Sequence, residues 1–202
     1  MEHYAKDVGV WDVVNEPIAD SGALRPSVFA RRLGPGYVED AFRTARASDA
    51  DAKLYLNEIG AEGTGPKSNR LYELVRDLRA RGVPIDGVGF QTHTNLMGLP
   101  ADFVANMQRF RALGLDVAIT EADVALRVPP SAADLRAQAD VYAQIVRACL
   151  AVRCASLTVW GFTDGHSWIS ETQAGMGAAT LLDEELRPKP AFGAVQAVLS
   201  NR

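Results

Sequence analysis

Short apolar runs alternate along this chain with longer amphipathic segments. The runs cover Val8 to Val14, Ala52 to Leu56, Gly87 to Phe90, Leu115 to Thr120 and Ala155 to Trp160. They are rich in β-branched and aliphatic residues and lack clean apolar–polar alternation, which is the pattern of strands covered on both faces. Between them, apolar residues recur at helical spacing. Tyr37 to Ala47 carries Val38, Ala41, Phe42 and Ala45; Asn69 to Arg81 carries Leu71, Leu74, Val75 and Leu78. Gly82 follows as a natural C-terminal stop, and Gly114 closes Pro100 to Leu113 in the same way. Ser131 to Val152 is the longest segment, with Ser131 and Asp134 spaced like a capping box in which Asp is a weaker partner than Glu. A last helix is predicted over Pro190 to Leu199. Five strands alternating with five helices predict an α/β fold with a parallel sheet. The absence of a linker or low-complexity tract favours a single domain over residues 1–202. Ser21 to Gly36, Gly60 to Ser68 and Thr163 to Gly177 are long, Gly- and Pro-rich loops, and long ordered loops tend to be functional.

Each predicted strand ends in residues that a structural core does not need. These are Asn15 and Glu16; Asn57 and Glu58; Gln91, Thr92 and His93; Glu121, Ala122 and Asp123; and Trp160, Gly161, then Asp164, His166 and Trp168. A single carboxylate after a strand is usually a solvated loop residue or a helix cap. The same chemistry after every strand is hard to explain by capping. In a parallel α/β barrel all such ends lie on one rim, where active sites are built. A pair of glutamates with aromatic walls, amides and an imidazole suits glycoside hydrolysis: one carboxyl protonates the leaving oxygen, and the other attacks the anomeric carbon if the two stand about 5 Å apart, or activates water if the gap is wider.

Composition narrows the partners. A net charge of −4 argues against nucleic acid, and no apolar run is long enough to span a membrane. The first seven residues contain no apolar stretch like that of a signal peptide, so the chain as written is expected in the cytoplasm unless its true N-terminus lies upstream. Cys149 and Cys154 are too few for a metal site; a short-loop disulfide and two partly buried thiols carry equal weight.

The strings "WDVVNEP", "LYLNE", "GVGFQTH", "ITEADV" and "VWGFTDGHSWI" resemble, in order and spacing, the retaining endo-β-1,4-xylanases of glycoside hydrolase family 10. The resemblance extends to the closing "LLDEELRPKPAF". It implies Glu16 as general acid/base, Glu121 as nucleophile, and Asn15 as the amide bonding the sugar 2-hydroxyl. It implies His93 as the imidazole bonding the nucleophile, Asp123 as the carboxylate steadying His93, Gln91 as an amide of the same centre, Asn57 as a substrate-side amide, and Trp160 and Trp168 as aromatic walls. An apolar setting for Glu16 with the negative charge of Glu121 nearby would keep the acid protonated for the first step. Trp11 and Asp12 are expected to be structural, and His3 solvated.

In the family, the "WDVVNE" string ends the fourth strand of an eight-unit barrel. The resemblance therefore implies a partial TIM (β/α)8 barrel with strands 4–8 present and strands 1–3 missing, and open sheet edges that invite self-association. The family usually reads Asn-Asp-Tyr-Asn where this chain has Asn57-Glu58-Ile59-Gly60, and Leu where it has Ala122. The implied substrate is xylan or xylo-oligosaccharide, the implied chemistry needs no metal or organic cofactor, and the family is extracellular. Two alternatives stand beside this: another retaining β-glycanase of the same barrel acting on β-1,4-glucan, and an inactive remnant or sugar-binding fragment.

Overall fold

The computed structural model describes residues 1–5 and 7–201. The chain divides into two compact units, Met1–Gln91 with Ala105–Ala118, and Thr92–Val104 with the residues from Ile119 onward.

The first unit is built on three parallel strands, β1 (Val10–Asn15), β2 (Lys53–Glu58) and β3 (Gly87–Phe90). Between β1 and β2 lie the helices α1 (Val28–Leu33) and α2 (Tyr37–Ser48), and between β2 and β3 lies α3 (Pro66–Ala80). β2 fits the expectation of a strand covered on both faces, because Leu54 through Glu58 are all buried. β1 does not. Val10 is 52% exposed and only Val14 of the strand is buried. Its described hydrogen-bonded neighbour is β2 alone, so its outer edge and flank lack the cover that its apolar sequence suggested. On β3, Gly87 is required by a close approach. A Cβ there would sit 2.5 Å from the ring of Tyr55, its register partner on β2. Leu71, Val75 and Leu78 form the buried stripe of α3, and Gly82 follows the helix at φ 66, where glycine is at ease.

In the second unit, strand β4 (His93–Asn95) and helix α4 (Phe103–Arg111), which crosses the division, precede β5 (Asp116–Arg127). β5 pairs in parallel with β4 and with β6 (Leu157–Val159), and antiparallel with β7 (Met176–Gly177). Helices α5 (Ala132–Val152), α6 (Trp168–Thr172) and α7 (Pro190–Ser200) complete it, with α5 packed on α7. The capping box is present: the Ser131 hydroxyl accepts from the Asp134 N–H while the Asp134 carboxylate accepts from the Ser131 N–H. Tyr142 donates its hydroxyl proton to Ala179 O (2.8 Å), and the Gln138 amide donates to Val124 O and Ala178 O, tying α5 to β5 and to the segment after β7.

Three expectations need correction. The fourth apolar run does not stop at Thr120; β5 continues to Arg127, because Glu121 and Asp123 are carried within the strand rather than after it. Two of the long loops contain helices, α1 and α6, and two short strands, β4 and β7, were not legible as apolar runs. Cys149 and Cys154 are joined in a disulfide, so the reading of two thiols falls. Arg153, at φ 52, turns the chain back at the end of α5, and Cys154 N–H donates to Cys149 O.

Candidate active site

Strand geometry assembles the second unit's polar array. Successive side chains of a strand point to opposite faces, so Glu121 and Asp123, two apart on β5, share one face while Ala122 lies buried on the other. His93 on β4 is the register partner of Asp123. Its Nδ1 lies 2.9 Å from Asp123 Oδ2 and its Nε2 lies 3.2 Å from Glu121 Oε2. Trp168 donates its indole N–H to the same Asp123 oxygen (2.8 Å) and packs edge-on against the His93 ring, centroids 4.9 Å apart.

Asp123 is completely buried, and a carboxylate is kept there only by such partners. Burial pulls the His93 pKa down, but the hydrogen bonds to Asp123 and Glu121 and their charges outweigh it and raise it to about 9. The imidazole is therefore a cation at neutral pH, and both ring nitrogens donate. Glu121, 9% exposed, thus has a fixed cationic donor on one of its oxygens. Trp168, expected only as an aromatic wall, has its N–H engaged by the array. Trp160 follows β6 with its backbone N–H on Ala122 O and its residue surface 46% exposed.

The first unit carries the other glutamate. Glu16 follows β1 with φ 52, a left-handed conformation uncommon for a residue with a Cβ. Asn15 and Asn57 are register partners on β1 and β2, and Asn57 Nδ2 donates to Asn15 Oδ1 (3.0 Å). Gln91 Nε2 donates to Asn15 Oδ1 (3.3 Å) and to Glu16 Oε1 (3.1 Å). Asn57 and Gln91 are buried, at 2% and 1% exposure, so both serve here as amides that hold Asn15 and Glu16. The setting of Glu16 is polar rather than the apolar one expected: Arg25 Nη2 stands 3.5 Å from Glu16 Oε2, and Arg25 Nε donates to Glu16 O (2.9 Å). Asn15, Glu16 and Arg25 line a cavity of about 880 Å³ with Trp11, Phe29 and Tyr37.

The family model for glycosyl hydrolase family 10 matches residues 1–198. The chain belongs to glycosyl hydrolase family 10. It is 43% identical over 193 residues to an endo-1,4-beta-xylanase of Agaricus bisporus, covering 95% of this chain and 58% of that protein. It is 42% identical over 202 residues to endo-1,4-beta-xylanase A of Phanerodontia chrysosporium, covering 100% of this chain and 50% of that one. The chain therefore spans only about half to three fifths of the length of these relatives. The crystal structure of xylanase 10B from Thermotoga maritima matches with a TM-score of 0.96 at 42% identity, over 99% of this chain and 63% of that one. The xylanase 10B of Thermotoga petrophila, solved in complex with xylobiose, matches at TM-score 0.96 and 41% identity, over 99% of this chain and 62% of that one. The α/β fold with parallel strands is thus that of family 10 barrel enzymes.

Within this family 10 chain, not every strand-end residue joins the two arrays. Asp164 is bonded to Lys189 Nζ (2.9 Å) and to Thr180, an internal ion pair, and His166 is exposed. Trp11 is half-buried and lines the cavity beside Glu16, and Asp12 and His3 are exposed. Arg25, which touches Glu16, and Lys67 escaped the sequence reading, and Glu58 was read only in part. Arg25 sits in a loop with no periodic signal. Glu58 was legible as a polar strand end, but not as the fully buried partner of Lys67 (3.3 Å). Lys67 did carry a signal, since it stands four residues before Leu71 on the buried stripe of α3, where a lysine requires a carboxylate partner.

Proposed function

We propose that the protein is a retaining endo-β-1,4-xylanase, hydrolysing internal bonds of xylan by double displacement. The observation that carries this is the array His93–Glu121–Asp123, in which the imidazole lies within hydrogen-bond reach of both carboxylates, on a chain belonging to glycosyl hydrolase family 10. In the first step Glu16 gives its proton to the leaving glycosidic oxygen while a Glu121 oxygen bonds to the anomeric carbon. In the second, Glu16 takes a proton from water, which displaces Glu121 and restores the sugar hydroxyl with net retention. That stereochemistry requires the two carboxyl groups about 5 Å apart across the ring. His93 orients Glu121, Asp123 and Trp168 fix His93, and Gln91 and Asn57 fix Asn15 and Glu16. Trp160 supplies a flat face to a sugar ring. No step calls for a metal or an organic cofactor.

The same reading takes residues 1–202 as one incomplete catalytic domain corresponding to strands 4–8 of a (β/α)8 barrel. It leaves the outer edge of β1 as a surface for self-association. It also places the intact protein outside the cell, which the disulfide between Cys149 and Cys154 supports, since such bonds persist in oxidising compartments.

The test is made in the intact protein. Glu121→Ala abolishes the covalent glycosyl-enzyme seen by mass spectrometry. Glu16→Ala slows hydrolysis of xylan far more than cleavage of an aryl xylobioside whose leaving group needs no proton. Equal losses on the two substrates would remove Glu16 from the acid role. Faster sugar release from carboxymethylcellulose than from xylan would move the substrate to β-1,4-glucan.

A further inference from the structure

We infer that the buried pair Glu58–Lys67 is a positioning device for Glu16, fixing the backbone of the loop that begins at that residue. This rests on the acid/base reading of Glu16 given above. Glu16 is held in a left-handed conformation that costs an ordinary residue about 1–2 kcal/mol, and such a conformation persists only where the surroundings over-determine it. Two consecutive residues of the β2 end supply the constraint. On one side Glu16 N–H donates to Asn57 O (2.8 Å); on the other, Ile18 N–H donates to Glu58 Oε2 (3.0 Å). The reversed residue is thus pinned before and after by the same two-residue segment.

Lys67 secures the pin. Its ammonium, on a side chain 7% exposed, stands 3.3 Å from Glu58 Oε1 and donates to Asp20 Oδ1 at 2.9 Å. Asp20 lies in the loop that follows Glu16, so one cation ties that loop to both the β2 end and the start of α3. The loop is also closed on itself, with Arg25 N–H on Pro17 O (2.7 Å) and Arg25 Nη2 on Ile18 O (3.4 Å). Gly22 packs so near α3 that a Cβ would lie 3.1 Å from Pro66 O.

A role confined to stability explains the pair poorly. Burial pushes the Glu58 carboxyl up, against the hydrogen bond from Ile18 and the charge of Lys67 that hold it down, so burying this carboxyl carries a desolvation cost. Replacing such a pair by apolar residues of similar volume is often neutral or stabilising. What an apolar pair cannot supply is an acceptor for Ile18 N–H or a tether for Asp20. Glu58 is fully buried and does not touch substrate, so it acts through Glu16.

The test compares Glu58→Leu/Lys67→Met with wild type in the intact protein. Hydrogen exchange at the Ile18 amide is expected to quicken by at least about tenfold. The kcat/KM for xylan is expected to fall at least about tenfold more than that for an aryl xylobioside with a good leaving group, because misplacement by about 1 Å costs up to about a hundredfold only where the proton is needed. Glu58→Gln, which keeps the volume and the acceptor, should fold if the double variant does not, and should show the same split at smaller size. Unchanged Ile18 protection in a folded double variant, or equal loss on both substrates, would overturn the inference. Failure of Glu16→Ala to split the two substrates would instead overturn the acid assignment, and Ile18 exchange alone would then decide whether the clamp fixes the loop.

Discussion

The charge of His93 links the active-site array to the pH dependence of folding. The folded pKa of about 9 lies above the ordinary value of 6.5. Below pH 6.5 both folded and unfolded chains hold the proton, and the stabilisation is fully present. Between 6.5 and about 9 the unfolded chain releases it while the folded chain retains it, so stability falls as pH rises and the contribution is gone above about 9. At about 1.4 kcal/mol for each pH unit, the interval is worth about 3 kcal/mol. The His93 side chain is 11% exposed, so solvent screening takes little from this figure. The perturbation is His93→Gln, which keeps a donor and removes the titration. Urea unfolding of both proteins, at constant ionic strength, gives their stability difference across the window. That difference should shrink by about 3 kcal/mol from pH 6.5 to 9. A difference that stays flat, or an imidazole that titrates near 6.5 in the folded protein by NMR, would refute the reasoning.

Two further substitutions test the frame around the site. Gly87→Ala should destabilise by about 1–3 kcal/mol in chemical denaturation, because its Cβ would press on the Tyr55 ring of the neighbouring strand; an unchanged midpoint would contradict the β2–β3 register. Lys189→Met should cost about 3–5 kcal/mol by leaving the buried Asp164 carboxylate without its cation and removing the Lys189 donor from Thr180 O, and Asp164→Asn added to it should recover part of the loss; unfolding midpoints equal to wild type would show that the ion pair carries no strength.

The helices were legible because their apolar stripes are long and their ends are marked. Ser131 and Asp134 announced the start of α5, and Gly82 and Gly114 announced stops. The strands were legible as apolar runs but not in their extent. β5 ran on through Glu121 and Asp123 because His93 and Trp168 satisfy those side chains, a compensation invisible along one strand. β4 is three residues of polar sequence, His93–Asn95, and becomes a strand only through its pairing with β5. Val8 to Val14 read as doubly covered, but β1 bonds only β2 among the described strands.

The candidate residues were legible as types at strand ends; their partners were not, because partnership is set by register. In both units the same rule applies. Asn15 and Asn57 are opposite one another on parallel β1 and β2, and their side-chain amides are bonded. His93 and Asp123 are opposite one another on parallel β4 and β5, and they too are bonded. Because side chains alternate with a period of two, a one-residue slip of either pairing would turn one member of each couple to the opposite face. The precision of both arrays therefore resides in buried apolar neighbours that forbid the slip, among them Leu54 and Leu56 on β2 and Ala122 and Val124 on β5. A core residue such as Leu56 never approaches a sugar, yet it determines which amide meets Asn15.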